Sequence, residues 1–205
     1  MNWNLPNKNR VNALVAVAHP DDEIIFCGGT ILTHPNWNWT IVTFTGLENS
    51  ERVCQYQNAM EHLILSGVNI NKYLSLSQID SGNDLSKLES QKWKNAIQEL
   101  KFSPDIIFTH NTEGEYGHTH HKSVNLIIND LFDNVWEFIC PGAKNTQPQP
   151  IKAKVNKIVM NVQTLLKKKK IFDQFYISER YLWENLSDVM DYEFNQGPEV
   201  FTASE

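Results

Sequence analysis

Cysteine is scarce in this chain: Cys27, Cys54 and Cys140 are an odd number, far apart, with no C-x-x-C pair. Neither a disulfide framework nor a thiolate zinc site is written there, and a reducing cytoplasm is the expected compartment. Long apolar runs are missing too. No segment reaches the ~18 uninterrupted apolar residues of a membrane span, and Met1 to Arg10 has no basic stretch leading into an apolar one. Membrane insertion and secretion are therefore not expected. Positive charge is also short: 18 Lys plus Arg against 24 Asp plus Glu leave a formal charge of -6. That balance argues against a surface built to grip phosphate backbones, so nucleic acid is not an expected partner. With only 9 Gly and 8 Pro, the composition is neither disordered nor fibrous. What is present, 41% hydrophobic residues over 205 positions, suits one domain spanning residues 1–205.

Val11 to Val17 is a short apolar run that reads as a buried strand. Acidic residues after Pro20 then open a helix from about Asp21 to Leu32. Further along, strands are expected at Thr40–Thr45, Tyr73–Ser77, Pro104–His110 and Lys157–Val162. Helices are expected at Ser50–Ser66, Asp84–Leu100 and Thr119–Phe132, with a polar loop over Asn111–Gly117. Strands alternating with helices predict a Rossmann-like α/β fold, a three-layer sandwich with a mostly parallel sheet in the order 3-2-1-4-5. The motif-bearing core covers about 11–131, Pro141–Pro150 is a candidate flap, and 151–205 forms a C-terminal part without a motif. Lys167 to Lys170 reads as a solvated helix end, and Trp37 and Trp39 as packing residues. Gly28-Gly29 falls inside the first helix, so it is not a dinucleotide fingerprint.

Two clusters carry chemistry. In Ala18-His-Pro-Asp-Asp-Glu23, an imidazole at a strand end and a carboxylate three residues later can converge on one divalent metal. Asp21, between them, is then placed to take a proton from water. Read alone, Asp21 and Asp22 serve equally well as helix caps. The second cluster, Thr109 to His121, holds four histidines, and His118 and His121 share one face of a starting helix. One of them can bind a metal and the other is left for acid or oxyanion work; a solvated loop fits the same residues. Topology favours the functional reading, because strands one and four are neighbours in the expected sheet and both clusters reach the crevice at their ends.

A-H-P-D-D-E after an apolar strand, followed about a hundred residues later by G-E-Y-G-H-x-x-H, resembles the PIG-L/LmbE-like zinc-dependent N-deacetylases, which act mainly on N-acetylglucosamine derivatives. The resemblance implies zinc on His19, Asp22 and His121, with iron(II) as another candidate ion, and Asp21 as general base. It implies His118 as the group that stabilises the oxyanion or protonates the leaving amine, and Tyr116 as a tyrosine that swings toward the acetyl oxygen. Arg52 and Asp80 match substrate-contacting positions, and Glu48 joins the crevice on position alone. The implied partner is a small-molecule amino sugar, with homo-oligomerisation left open. The chain departs from the pattern at Thr119 and His120, where H-P-D-H has Pro and Asp, and at Gln55, where a Glu would follow Arg52. His120 reads as a supporting or surface residue, and the group that orients His118 is left open. Two rival readings fit the same residues: hydrolysis of another acylamine or ester, and a relative that holds metal or sugar without turnover. The retained Asp21 favours an enzyme.

Overall fold

Along β1 (Asn12–Val17) successive side chains go to opposite faces of a sheet, Ala13, Val15 and Val17 to one core and Leu14 and Ala16 to the other. Burial on both faces is why this segment is apolar throughout. In the computed structural model, which describes residues 10–101, 103–140, 155–196 and 199–203, β1 pairs in parallel with β2 (Asn38–Thr45) and β4 (Ile106–Thr109). Further parallel pairs join β2 to β3 (Ile70–Gln78) and β4 to β5 (Val135–Ile139). Two antiparallel strands, β6 (Val155–Ile158) and β7 (Glu199–Ala203), extend the far edge. The sheet is thus β3-β2-β1-β4-β5-β7-β6.

Helices α1 (Asp22–Thr33), α2 (Glu51–Leu65) and α6 (Val162–Phe175) cover one face, burying Ile24, Phe26, Tyr56, Met60 and Phe172 against it. On the other face, α3 (Lys87–Gln98) and α5 (Thr119–Leu131) bury Trp93, Ile97, Val124, Ile127 and Ile128. Each such side chain stabilises the fold by roughly 1.5–3 kcal/mol relative to exposure. Trp37 and Trp39 are buried, as expected of packing residues. No helix among the described residues is long and apolar enough to cross a membrane.

The order 3-2-1-4-5 holds, but with a different fifth strand. Val135–Ile139 pairs with β4, whereas the strand expected at Lys157–Val162 is the edge strand β6, and Val162 already begins α6. The expected flap at 141–150 lies outside the described residues. The lysine run is a second correction, because Lys168 is fully buried. Its Nζ donates to Glu199 Oε1 at 2.9 Å and to Glu193 Oε2 at 3.3 Å. Glu199 also accepts the backbone N–H groups of Gly29 and Thr30, both at 2.7 Å, in the middle of α1. A Cβ at Gly29 would lie 1.6 Å from Met160 Sδ and 3.0 Å from Glu199 Oε1, so a larger residue there would displace the Met160 side chain and crowd the carboxylate. The C-terminal third thereby grips the helix that starts the first cluster.

Candidate active site

The ends of β1 and β4 lie side by side, with Ala16 opposite Thr109, and the Ala18 N–H donates to His110 Nε2 at 2.9 Å. Just beyond, the chain turns sharply into α1. Asp21 stands at φ 129°, a conformation L residues rarely adopt, and strain of this kind collects at functional sites. Its N–H donates to Glu23 Oε2 at 3.0 Å, and Glu23 is fixed in turn by the Tyr176 hydroxyl. The side chain of Asp21 makes no capping bond, so the cap reading does not describe it.

Asp22 Oδ2 accepts the His19 N–H at 2.8 Å and sits among three imidazoles. His19 Nδ1, Asp22 Oδ2 and His121 Nε2 form a triangle with sides of 3.2, 3.3 and 3.4 Å. Tetrahedral ligands at 2.0–2.1 Å from a zinc ion lie about 3.3–3.4 Å apart, so these three donors fit a divalent ion. The tautomer fits as well. His121 Nδ1 lies 2.6 Å from Glu115 Oε2, and an N–H there leaves the Nε2 lone pair facing the triangle. Glu115 Oε2 also meets His110 Nδ1 at 2.9 Å, and the His110 ring stacks on His121 at 3.7 Å. The short segment α4 (Gly114–Gly117) is an irregular turn rather than a regular helix, with positive φ at Gly114, Glu115 and Gly117, and it sets Glu115 behind both rings.

Electrostatics point the same way. Burial alone would pull the His121 ring down, but Asp22 and Glu115 push its pKa up to about 10. Burial would raise Glu115, yet His110 and His121 hold it down at about 2. His19, by contrast, is lowered by burial to about 4. Two buried carboxylates thus hold a positive charge at the triangle, as a proton or as a cation.

Asp21 is buried beside this set and is not part of it. Its Oδ2 accepts from Arg52 Nη2 at 3.0 Å, whereas Oδ1 has no partner. Burial raises the carboxyl well above its usual range, with Arg52 opposing. Arg52 is held on further sides: its Nε donates to the Pro20 carbonyl at 3.0 Å and lies 3.3 Å from Glu179 Oε1. His118 is the N-cap of α5, and its Nδ1 accepts the His120 N–H at 3.3 Å, which leaves an N–H at Nε2. The backbone of residue 120, not its side chain, therefore orients this ring. The His120 side chain is buried and lies 3.1 Å from Asp80 Oδ1.

A cavity of about 390 Å³ joins these groups. His19, Asp21, Asp22, Arg52, Asp80, Tyr116 and His118 line one part, and Leu182, Leu186, Val189 and Met190 form an apolar wall. Glu48, expected at the crevice on position alone, is exposed and is not among the residues that line this cavity. Sequence reasoning missed Glu115 and Glu179, whereas His110, at the end of the fourth strand, lies behind His121 as a supporting residue. Glu115 lay in plain view within G-E-Y-G, whereas Glu179 sits in a stretch with no motif.

Comparison with known proteins adds three kinds of likeness. The profile of the PIG-L family, described as GlcNAc-PI de-N-acetylase, matches residues 14–132. An uncharacterized protein of Acanthamoeba polyphaga mimivirus is 27% identical over 136 residues, 60% of this chain and 58% of that one, so the match spans little more than half of that relative. Among solved structures, a deacetylase in the biosynthesis pathway of teicoplanin superposes with a TM-score of 0.70 at 14% identity, over 94% of this chain and 97% of that one. The N,N'-diacetylchitobiose deacetylase of Pyrococcus horikoshii gives 0.61 at 15% identity, over 94% and 83%. The 4-carboxy-2-hydroxymuconate hydratase of Pseudomonas putida also gives 0.61, at 14% identity, over 95% and 96%. At such identities these structures share the fold alone.

Proposed function

Because this chain belongs to the PIG-L family of GlcNAc-PI de-N-acetylases, we propose that its crevice hydrolyses the acetamide of an N-acetylated amino sugar or its conjugate. The observation that carries this reading is the triangle of His19, Asp22 and His121 donors, 3.2–3.4 Å on a side, next to a buried carboxylate that is not part of it. His19, Asp22 and His121 would hold one divalent ion, zinc by its fit to nitrogen and oxygen donors, with iron(II) suited to the same set. A divalent ion there supplies Lewis acidity to a carbonyl oxygen and to water.

The chain's own residues do the rest. Asp21 takes a proton from the attacking water at Oδ1, while Arg52 holds Oδ2 and keeps the carboxylate in place. As the carbonyl carbon becomes tetrahedral, charge gathers on its oxygen. His118 Nε2–H and the Tyr116 hydroxyl, both lining the cavity, donate to that oxygen. When the C–N bond breaks, Asp21 returns its proton to the leaving nitrogen, so that water and amide become acetate and a free amine. The apolar wall suits a conjugate carrying an apolar group beside the sugar. The family description and the chitobiose deacetylase both name amino-sugar deacetylation, which supports this substrate class. The hydratase neighbour shows that the fold also carries other chemistry.

The test is to incubate zinc-loaded protein with a panel of N-acetylated amino sugars and with matched esters, reading acetate and primary amine together. Equal amounts of acetate and amine from at least one sugar are expected. Acetate from esters only, or no product from any compound, would overturn the proposal.

A further inference from the structure

Two buried ring nitrogens face one partly exposed carboxylate on the solvent side of the site. His19 Nε2 lies 3.4 Å from Asp80 Oδ2, and His120 Nδ1 lies 3.1 Å from Asp80 Oδ1. Neither nitrogen makes a well-directed hydrogen bond, and the Asp80 carboxylate is the polar group that faces both. His19 is only 4% exposed and His120 fully buried, so bulk water does not satisfy them. Such orphaned polar atoms are costly and call for an explanation. One donor atom from each of His19, Asp80 and His120 falls within 4.8 Å of the other two, the spacing of a closed three-ligand set. The second nitrogen of His120 lies 3.4 Å from Ser81 Oγ, and an N–H there leaves a lone pair at Nδ1. The Asp80 side chain, 40% exposed, opens the set to solvent and gives an ion a way in.

We propose that His19 Nε2, Asp80 and His120 Nδ1 form a second divalent-cation site, for a borderline ion such as zinc, distinct from the triangle on the other side of the His19 ring. It shares only His19 with the proposed hydrolytic centre. A neutral imidazole has a single ring lone pair, so an ion bound here takes His19 away from Asp22 and His121. The two sets compete for one ring. The first set has two buried carboxylates around it, Asp22 and Glu115, whereas the second has one half-exposed carboxylate. The second site is therefore the weaker, fills when the ion is in excess, and switches the first one off. It acts as an inhibitory cation site.

A substitution isolates it. Among the described residues, the sets His19, His118 and His121 and Asp22, His110 and His121 both contain His121, as does the triangle itself. Among these sets, His121→Ala leaves that of His19, Asp80 and His120 intact. Metal-stripped full-length protein is titrated with zinc by calorimetry. His121→Ala is expected to bind about one zinc, more weakly than the wild type. Adding His120→Asn or Asp80→Asn to that background should abolish the binding. Asp80 is half-exposed, so its substitution spares the core, and circular dichroism verifies folding of each variant. In the activity assay, excess zinc should suppress wild-type turnover, and His120→Asn should remove that suppression. No zinc bound by folded His121→Ala, or binding unchanged by both added substitutions, overturns the site and leaves Asp80 as a hydrogen-bond acceptor for His19. Turnover of the wild type at limiting zinc is read separately, so failure of the hydrolytic reading and failure of this site give different results.

Discussion

His118 and His121 stand three residues apart on the start of one helix, yet their second nitrogens meet different partners. The His121 Nδ1 meets a buried carboxylate, Glu115, which frees Nε2 as a ligand, whereas the His118 Nδ1 accepts a backbone N–H, which leaves Nε2 a donor. His118→Ala should therefore keep the tightly bound ion and lose turnover, and His121→Ala should lose that ion; equal metal loss in elemental analysis would mean the two are sorted wrongly. Glu115→Gln should weaken zinc binding by roughly 10–100-fold, as loss of a carboxylate behind a ligand histidine does. Competition with a chromogenic chelator measures it, and an unchanged affinity would remove Glu115 from the centre. At this scale the ligand types were legible, because H-x-x-D and H-x-x-H are local patterns. What lies behind them was not: Glu115 reaches His110 and His121 only through the left-handed turn at Gly114 to Gly117, which no spacing rule reports.

Helix α1 starts at the centre and is clamped midway by Glu199, which is itself paired with Lys168. Removing one member of a buried ion pair costs far more than the pair contributes, because it strands a charge. Lys168→Ala leaves Glu193 and Glu199 facing each other in the core, and should destabilise the fold by roughly 3–5 kcal/mol. Urea denaturation reads this directly, and a loss below about 1 kcal/mol, typical of an exposed pair, would contradict the clamp. The strands β1 and β4 and the helices α1, α2 and α5 were legible from periodicity and capping residues. Strands β5 and β7 were not, and β6 was read at Lys157–Val162 as the fifth strand, because which strand pairs with which is set by partners distant in the chain. The four lysines looked like a solvated face because the carboxylates that bury Lys168 lie 25 and 31 residues further along the chain.

For the whole molecule, the strand order was the decisive legible feature, because it brings two distant motifs to one crevice whatever the identity of the outer strands. The cavity's apolar wall was not legible, since it comes from a stretch without a motif. The buried charges also make stability depend on pH. Burial raises Glu193 from 4.5 to about 8, against the pull of Lys168. The stability lent by its neutral form is fully present below about 4.5 and is lost as pH rises through about 8. The melting temperature of the wild type should therefore fall relative to that of Glu193→Gln between about pH 5 and 8, and parallel curves across that range would contradict it.

The most direct single measurement compares amine release by wild type and Asp21→Asn at equal zinc content. Asparagine has the size and shape of aspartate, so it fits the same turn while the base is lost. With an N-acetylated amino sugar, turnover should persist in the wild type and fall by about 10²–10⁴-fold in the variant. Equal rates in the two zinc-loaded proteins, or no amine from the wild type, would contradict a hydrolase in which Asp21 moves the proton.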